Sequence, residues 1–186
     1  MTSRPVSIGL AGWSEAVSRY RSAFPADGSA LTRYAGTFDF VEVNVTFYRA
    51  VREATFASWA EQTPADFRFS IKLNRSVTHA ARLSGNARLE EALQPMGALG
   101  HKLAALRVTP VLTEIPHPNT PHAPGGDYVR LHGTPRRYRS SYPTDQLRAL
   151  AAWIAESTSP AYVVFDNTAG PAGVANGREL QELLGA

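Results

Sequence analysis

Residues 38–49 (Phe-Asp-Phe-Val-Glu-Val-Asn-Val-Thr-Phe-Tyr-Arg) alternate so regularly that few folds can use them. Glu42, Asn44 and Thr46 fall on one face, Val41, Val43, Val45 and Phe47 on the other, and period-two alternation with β-branched residues reads as a strand. In a parallel sheet covered by helices both faces are dry, and a row of Glu, Asn and Thr must then line a pocket. In an antiparallel sheet the same row is an ordinary wet face. The order of the other elements decides between the two.

Residues 6–12 read as a buried strand ending in Gly12-Trp13-Ser14, and 15–28 as irregular, with Pro25 and an Asp27-Gly28 turn. Ser29 caps a short helix to Tyr34, closed by Gly36. After the central strand come a helix over 52–62, stopped by Thr63-Pro64, and a second alternating strand over 67–74 with Arg68, Ser70, Lys72 and Asn74 on one face. A loop with Thr78 and His79 leads to a helical stretch over 86–105, interrupted near Gly97 and Gly100. A strand over 107–115 and a proline-rich loop over 116–126 precede a strand over 127–133, which puts Tyr128, Arg130 and His132 on one face. A helix over 144–156, a strand over 161–165 and a helix over 175–184 finish the chain. Strands separated by helices imply βα units and a parallel sheet. The polar rows therefore belong to a pocket, and in a barrel they would converge at the C-terminal mouth. Six strands are readable where a closed barrel has eight.

The chain has 186 residues, 44% hydrophobic and 19% charged, which suits one compact domain. No apolar run approaches the roughly 20 residues of a membrane span. Residues 1–5 lead straight into the first strand without an export signature, so a cytoplasmic location is expected. Without cysteine, thiolate chemistry and thiolate metal sites are excluded. His117, His122 and His132 do not make a convincing metal set, because the first two sit in the proline-rich loop at no familiar ligand spacing; neither a metal nor a cofactor is expected. The net charge of +3 is carried mostly by arginine, with Lys72 and Lys102 the only lysines, and no dense basic stripe marks a nucleic-acid surface.

Five stretches together resemble the YecE-like family, catalogued as domain of unknown function 72. They are Gly12-Trp13-Ser14; residues 38–44 with Thr46-Phe47-Tyr48-Arg49; 67–72 with Thr78-His79; 128–133; and Phe165-Asp166-Asn167-Thr168 with Asn176. The resemblance covers 8–78 and again 108–184, and it implies a single α/β domain over 1–186 of triosephosphate-isomerase (TIM) barrel type. It implies no reaction. Against the family's pattern the chain looks internally shortened between about residues 103 and 108, so an incomplete barrel is expected, with edge strands near Leu73 and Leu112 open to pairing with a second copy.

The expected mouth takes Glu42, His132 and Asp166 as acid/base groups, and Trp13, Asn44, Lys72, Arg130 and Asn167 as substrate-binding groups. Each also has a structural reading. Glu42 could be a buried charge satisfied by Arg130 or Lys72, and His132 is the best proton carrier by residue type but could be hydrogen-bonded in place. Asp166 and Asn167 lie on opposite sides of a regular strand, so only one can face the mouth, and Asn167 could instead hold the following turn. With one carboxylate against Lys72 and Arg130, the mouth is expected to be short of negative charge and to bind an anion. The expected function is acid/base chemistry of hydrolase, lyase or isomerase type on a small phosphorylated or carboxylated compound. The alternatives are a polyanion- or RNA-binding module using Arg136, Arg137, Tyr138, Arg139 and Tyr142, and a shortened inactive scaffold.

Overall fold

The computed structural model describes residues 6–74, 86–103, 111–123 and 126–185. The Thr78-His79 loop and residues 104–110, where the family segment is expected to be missing, lie outside the described residues. In chain order come β1 (Val6–Leu10), α1 (Ser14–Arg19), α2 (Ala30–Ala35), β2 (Phe40–Val43), α3 (Val45–Tyr48), α4 (Glu53–Glu61) and β3 (Arg68–Ile71). There follow α5 (Asn86–Leu93), a 3-10 segment (Gln94–Lys102), β4 (Val111–Thr113), β5 (Asp127–Leu131), α6 (Thr144–Glu156), β6 (Ala161–Phe165) and α7 (Ala172–Leu184).

The six strands form one parallel sheet in the order β3-β2-β1-β6-β5-β4. This is the cyclic order of a barrel opened once, between β3 and β4. In a flat sheet β2 and β5, three positions apart, would be separated by about 14 Å at the usual 4.8 Å spacing. Yet the Tyr128 hydroxyl on β5 reaches Glu42 on β2 at 3.0 Å, and the Phe40 and Tyr128 rings stand 6.2 Å apart. The sheet therefore curls into a half-barrel, an incomplete TIM-like barrel with helices outside.

Alternation divides each strand between the two faces. Val41, Val43, Val129, Leu131, Val163 and Phe165 point outward into a core shared with Leu147 and Leu150 of α6 and Val174 and Leu180 of α7. Each such side chain, fully buried, contributes about 1.5–3 kcal/mol. The inner face carries Phe40, Tyr128 and Tyr162 as an aromatic floor, with Phe40 and Tyr162 centroids 5.2 Å apart, and polar groups above it. Gly9 of β1 has a packing reason to be glycine: a Cβ there would lie 1.9 Å from the Phe40 carbonyl oxygen. Beside it the Tyr34 hydroxyl bridges the two strands, accepting from Leu10 N and donating to Phe40 O, each at 2.8 Å.

Two local readings change. The strand expected through Arg49 ends at Val43, because Asn44 adopts helical angles (φ −93°, ψ −21°) and opens α3. The Thr46 hydroxyl sits between the carbonyls of Val43 (3.1 Å) and Lys72 (2.7 Å), where it finishes two strand ends instead of lining a pocket. Within 15–28, read as irregular, Ser14–Arg19 is helical, burying only Ala16 and Val17. Six residues with two apolar contacts are too few for a periodic signal. Among the described residues no helix is long and apolar enough to cross a membrane.

Candidate functional site

The C-terminal ends of β2, β5 and β6 bring Glu42, Arg130, His132 and Asp166 together, as their strand positions lead one to expect of a barrel. Arg130 is the hub. Its Nε lies 3.1 Å from both Glu42 carboxylate oxygens and its Nη2 3.0 Å from Oε1. Its Nη1 forms an ion pair with Asp166 Oδ2 at 3.0 Å and donates to His132 Nε2 at 2.7 Å. Glu42 also accepts from the Tyr128 hydroxyl, which is 3.1 Å from Ser70 Oγ on β3. A guanidinium only donates. His132 therefore accepts at Nε2 and carries its proton on Nδ1, which is buried without a hydrogen-bond partner and faces Glu114 Oε1 at 3.7 Å.

Burial decides the electrostatics of this cluster. It holds the Asp166 carboxyl above the usual carboxylate range although Arg130 pulls the other way. It holds His132 below the usual imidazole range, reinforced by Arg130 and Arg137. The Tyr128 hydroxyl is pushed far up, by burial first and the Glu42 charge second.

The remaining expected site residues lie outside this inner cluster. Lys72 is solvent-exposed at the rim with its ammonium 4.8 Å from the centre of the Phe47 ring, so it does not share Glu42 with Arg130. The expected charge deficit is absent from the inner cluster, where two carboxylates, Glu42 and Asp166, meet one guanidinium. Trp13 packs edge-on against Trp59 of α4, centroids 5.1 Å apart. Asn44 has left the strand. Asn167, fully buried, donates to Ser140 O (2.9 Å) and Asn176 Oδ1 (3.2 Å), and Asn176 in turn bonds both the N–H and the carbonyl of Tyr142. This pair ties the loop over 133–142 to α7. Tyr142, named above for the polyanion- or RNA-binding alternative, is itself buried, its hydroxyl accepting from Gly133 N at 2.8 Å and donating to Glu114.

His117 and His122 lie on the loop that enters the other end of β5. His122 Nδ1 is 2.7 Å from Asp127 Oδ2 and its ring stacks 4.2 Å from Trp153. Among the described residues no group of three or more His, Cys, Asp and Glu is placed to hold a metal. Glu114 is the member of the mouth that the sequence did not single out, while Ser70 and Tyr128 were placed on their strand faces without a role. Ser70 and Tyr128 follow from alternation on their strands. Glu114 could not be found that way, because its φ of 70° breaks the pattern after β4.

A parallel half-barrel with an ionisable cluster at its C-terminal mouth defines the class, and comparison with known proteins supplies the family. The family model described as "Protein of unknown function DUF72" matches residues 7–121 and 109–186, and the chain belongs to that family. The chain is 38% identical to the UPF0759 protein YecE of Escherichia coli K12 over 55 residues, 30% of this chain and 20% of that protein. The match therefore spans only about a fifth of the relative's length. Two crystal structures of DUF72 family proteins share the fold. One, from Enterococcus faecalis, has a TM-score of 0.76 at 16% identity, covering 97% of this chain and 96% of the other. One from Thermotoga maritima has a TM-score of 0.70 at 18% identity, covering 98% and 100%.

Proposed function

We propose that the mouth performs acid/base chemistry on a small phosphorylated or carboxylated compound. The observation that carries this reading is the meeting of two oppositely displaced groups on one guanidinium: an aspartic acid held up and a histidine held down, both in contact with Arg130. The raised carboxyl is drawn toward neutrality and the lowered imidazole is kept as the unprotonated base, a pair of groups suited to exchanging protons with a ligand. Lys72 and Arg137, exposed and without an ion-pair partner among the described residues, stand at the rim and would draw the anion in. At Arg130 the anion would compete with Asp166 and His132 for Nη1. Binding would then free both proton carriers beside the substrate, while Glu42 and Tyr128 keep the guanidinium in place.

Inorganic phosphate and a panel of small phosphorylated and carboxylated metabolites, followed by thermal shift, test the binding half. A ligand at a hundred times its Kd adds about 2.7 kcal/mol of stability. The response should be lost in Lys72→Met and Arg130→Met. Any stabilising metabolite should be turned over by the wild type and bound without turnover by Asp166→Asn. Indifference to every anion would sink the proposal, and RNA binding that collapses steeply with salt would favour a polyanion module.

A further inference from the structure

Glu114 follows β4, the strand at the open edge, and it is one of two non-glycine residues among those described with a left-handed φ, the other being Tyr138. An L-residue adopts φ 70° only when its surroundings impose it. Here they do. Its N–H donates to Arg130 O at 3.2 Å, extending the β4–β5 ladder by one bond, while the turned backbone carries the carboxylate over the end of β5. There Oε2 accepts from the Thr134 hydroxyl at 3.1 Å and from the Tyr142 hydroxyl. The other oxygen, Oε1, faces His132 Nδ1 at 3.7 Å.

The imidazole is asymmetric. Nε2 is held by Arg130 Nη1 at 2.7 Å and is 3.6 Å from Asp166 Oδ2, whereas Nδ1 is buried and without a hydrogen bond. A buried N–H without an acceptor is rare in folded proteins. Among the described residues the carboxylate nearest Nδ1 is that of Glu114, 3.7 Å away, held on its far side by two hydroxyls and separated from a hydrogen bond by a small movement. We propose that Glu114 is the positioning residue of this mouth, holding the His132 proton on Nδ1 and thereby keeping Nε2 as the basic nitrogen that faces Arg130 and Asp166. Thr134 and Tyr142 hold Glu114 in turn. The same division of labour orients metal-bound and catalytic histidines generally.

This inference rests on the acid/base reading of the site. The groups that face the ring are Arg130 on its own strand, Asp166 after β6, Glu114 after β4, Glu42 on β2, and Arg137 and Tyr138 on the following loop. Among these, Glu114 and Glu42 favour the imidazolium, and Arg130 and Arg137 oppose it.

Long-range proton–nitrogen NMR on the histidine-labelled protein reads both nitrogens directly. At neutral pH the wild type should show the His132 proton on Nδ1, protected from exchange. Glu114→Gln keeps the shape and removes the charge, and should lower the proton affinity of His132 by about tenfold; Glu114→Asp should restore most of it. A proton found on Nε2 in the wild type, or a His132 titration unmoved in Glu114→Gln, would overturn the assignment. Should Glu114→Gln fail to fold, Thr134→Val, which removes one of the hydroxyls that hold Glu114, takes its place: a shifted His132 titration supports the assignment, and an unmoved one overturns it. Because the readout is a ring nitrogen and not turnover, it can fail while the acid/base activity stands, and it can succeed in a protein that turns nothing over.

Discussion

Strand β5 carries a buried charge cluster at each end, and the two are built differently. At its start Asp127 accepts from Ala123 N (2.9 Å), pairs with His122 Nδ1 (2.7 Å) and accepts from the Ser157 hydroxyl (3.2 Å). These partners lie within five residues in sequence or at the end of α6, and together with the Trp153 N–H on Thr120 O they pin the proline-rich loop to that helix. At its end Arg130 draws on Glu42, 88 residues away, and on Asp166, after the neighbouring strand β6. Every bond at Asp127 completes a local structure. The bonds at Arg130 instead join three groups from separate parts of the chain, and two of them, His132 and Asp166, have displaced titrations. In barrels generally the N-terminal face serves stability and the C-terminal face chemistry, and the proposed acid/base role of the mouth would put that division on this one strand.

The largest expected effect tests the first of these ends. Asp127→Ala removes the acceptor of three donors from a side chain only 1% exposed, and should cost roughly 3 kcal/mol or more in urea unfolding, since each buried donor left unsatisfied costs about 1–3 kcal/mol. The anion response should survive in whatever remains folded. A loss below about 1 kcal/mol, the worth of an ordinary hydrogen bond, would erase the contrast. Glu42→Gln comes next. Arg130 would keep Asp166 as a counter-charge, so the expected cost is about 2 kcal/mol, that of a hydrogen bond to a charged group, and less than that of Asp127→Ala. If Glu42→Gln cost more, the mouth would be the stabilising cluster.

The sequence made some of this visible and could not make the rest so. Ser29 with Gly36, the helix and strand at 144–156 and 161–165, and the outward Val-Leu-Phe rows are local or periodic signals, and the structure has those elements where they were expected. The polar faces of β2 and β5 were legible for the same reason, since alternation survives any curvature of the sheet. The alternation at Asn44 and Thr46 misled because β propensity gives way when a hydroxyl can finish two strand ends at once. Lys72 was counted with the inner cations because strand parity says which face a side chain takes, not how far along the mouth it stands. Glu114 has no periodic signature, and its role depends on a backbone turn fixed by residues 20 and 28 positions later.

The smallest effect is the pH dependence, and it separates the two proton carriers. In the folded chain His132 titrates below its ordinary 6.5, because burial and then Arg130 and Arg137 oppose the imidazolium. The unfolded chain therefore takes up that proton first as pH falls. The stability tied to neutral His132 is whole above about 6.5 and is lost from there down to its folded value. Asp166 acts in the opposite sense: with its carboxyl raised above 3.8, the folded chain binds the proton more tightly, so stability is gained as pH falls from the folded value toward 3.8. Each contribution should amount to about 1 kcal/mol or less, since even a tenfold difference in proton affinity between folded and unfolded chain is worth only about 1.4 kcal/mol. Denaturant midpoints measured from pH 4 to 8 should thus lose their slope just below 6.5 in His132→Asn and their opposite slope at lower pH in Asp166→Asn. Two variants with identical pH profiles would mean that neither group has a displaced titration, and the C-terminal end of β5 would then be as purely structural as its start.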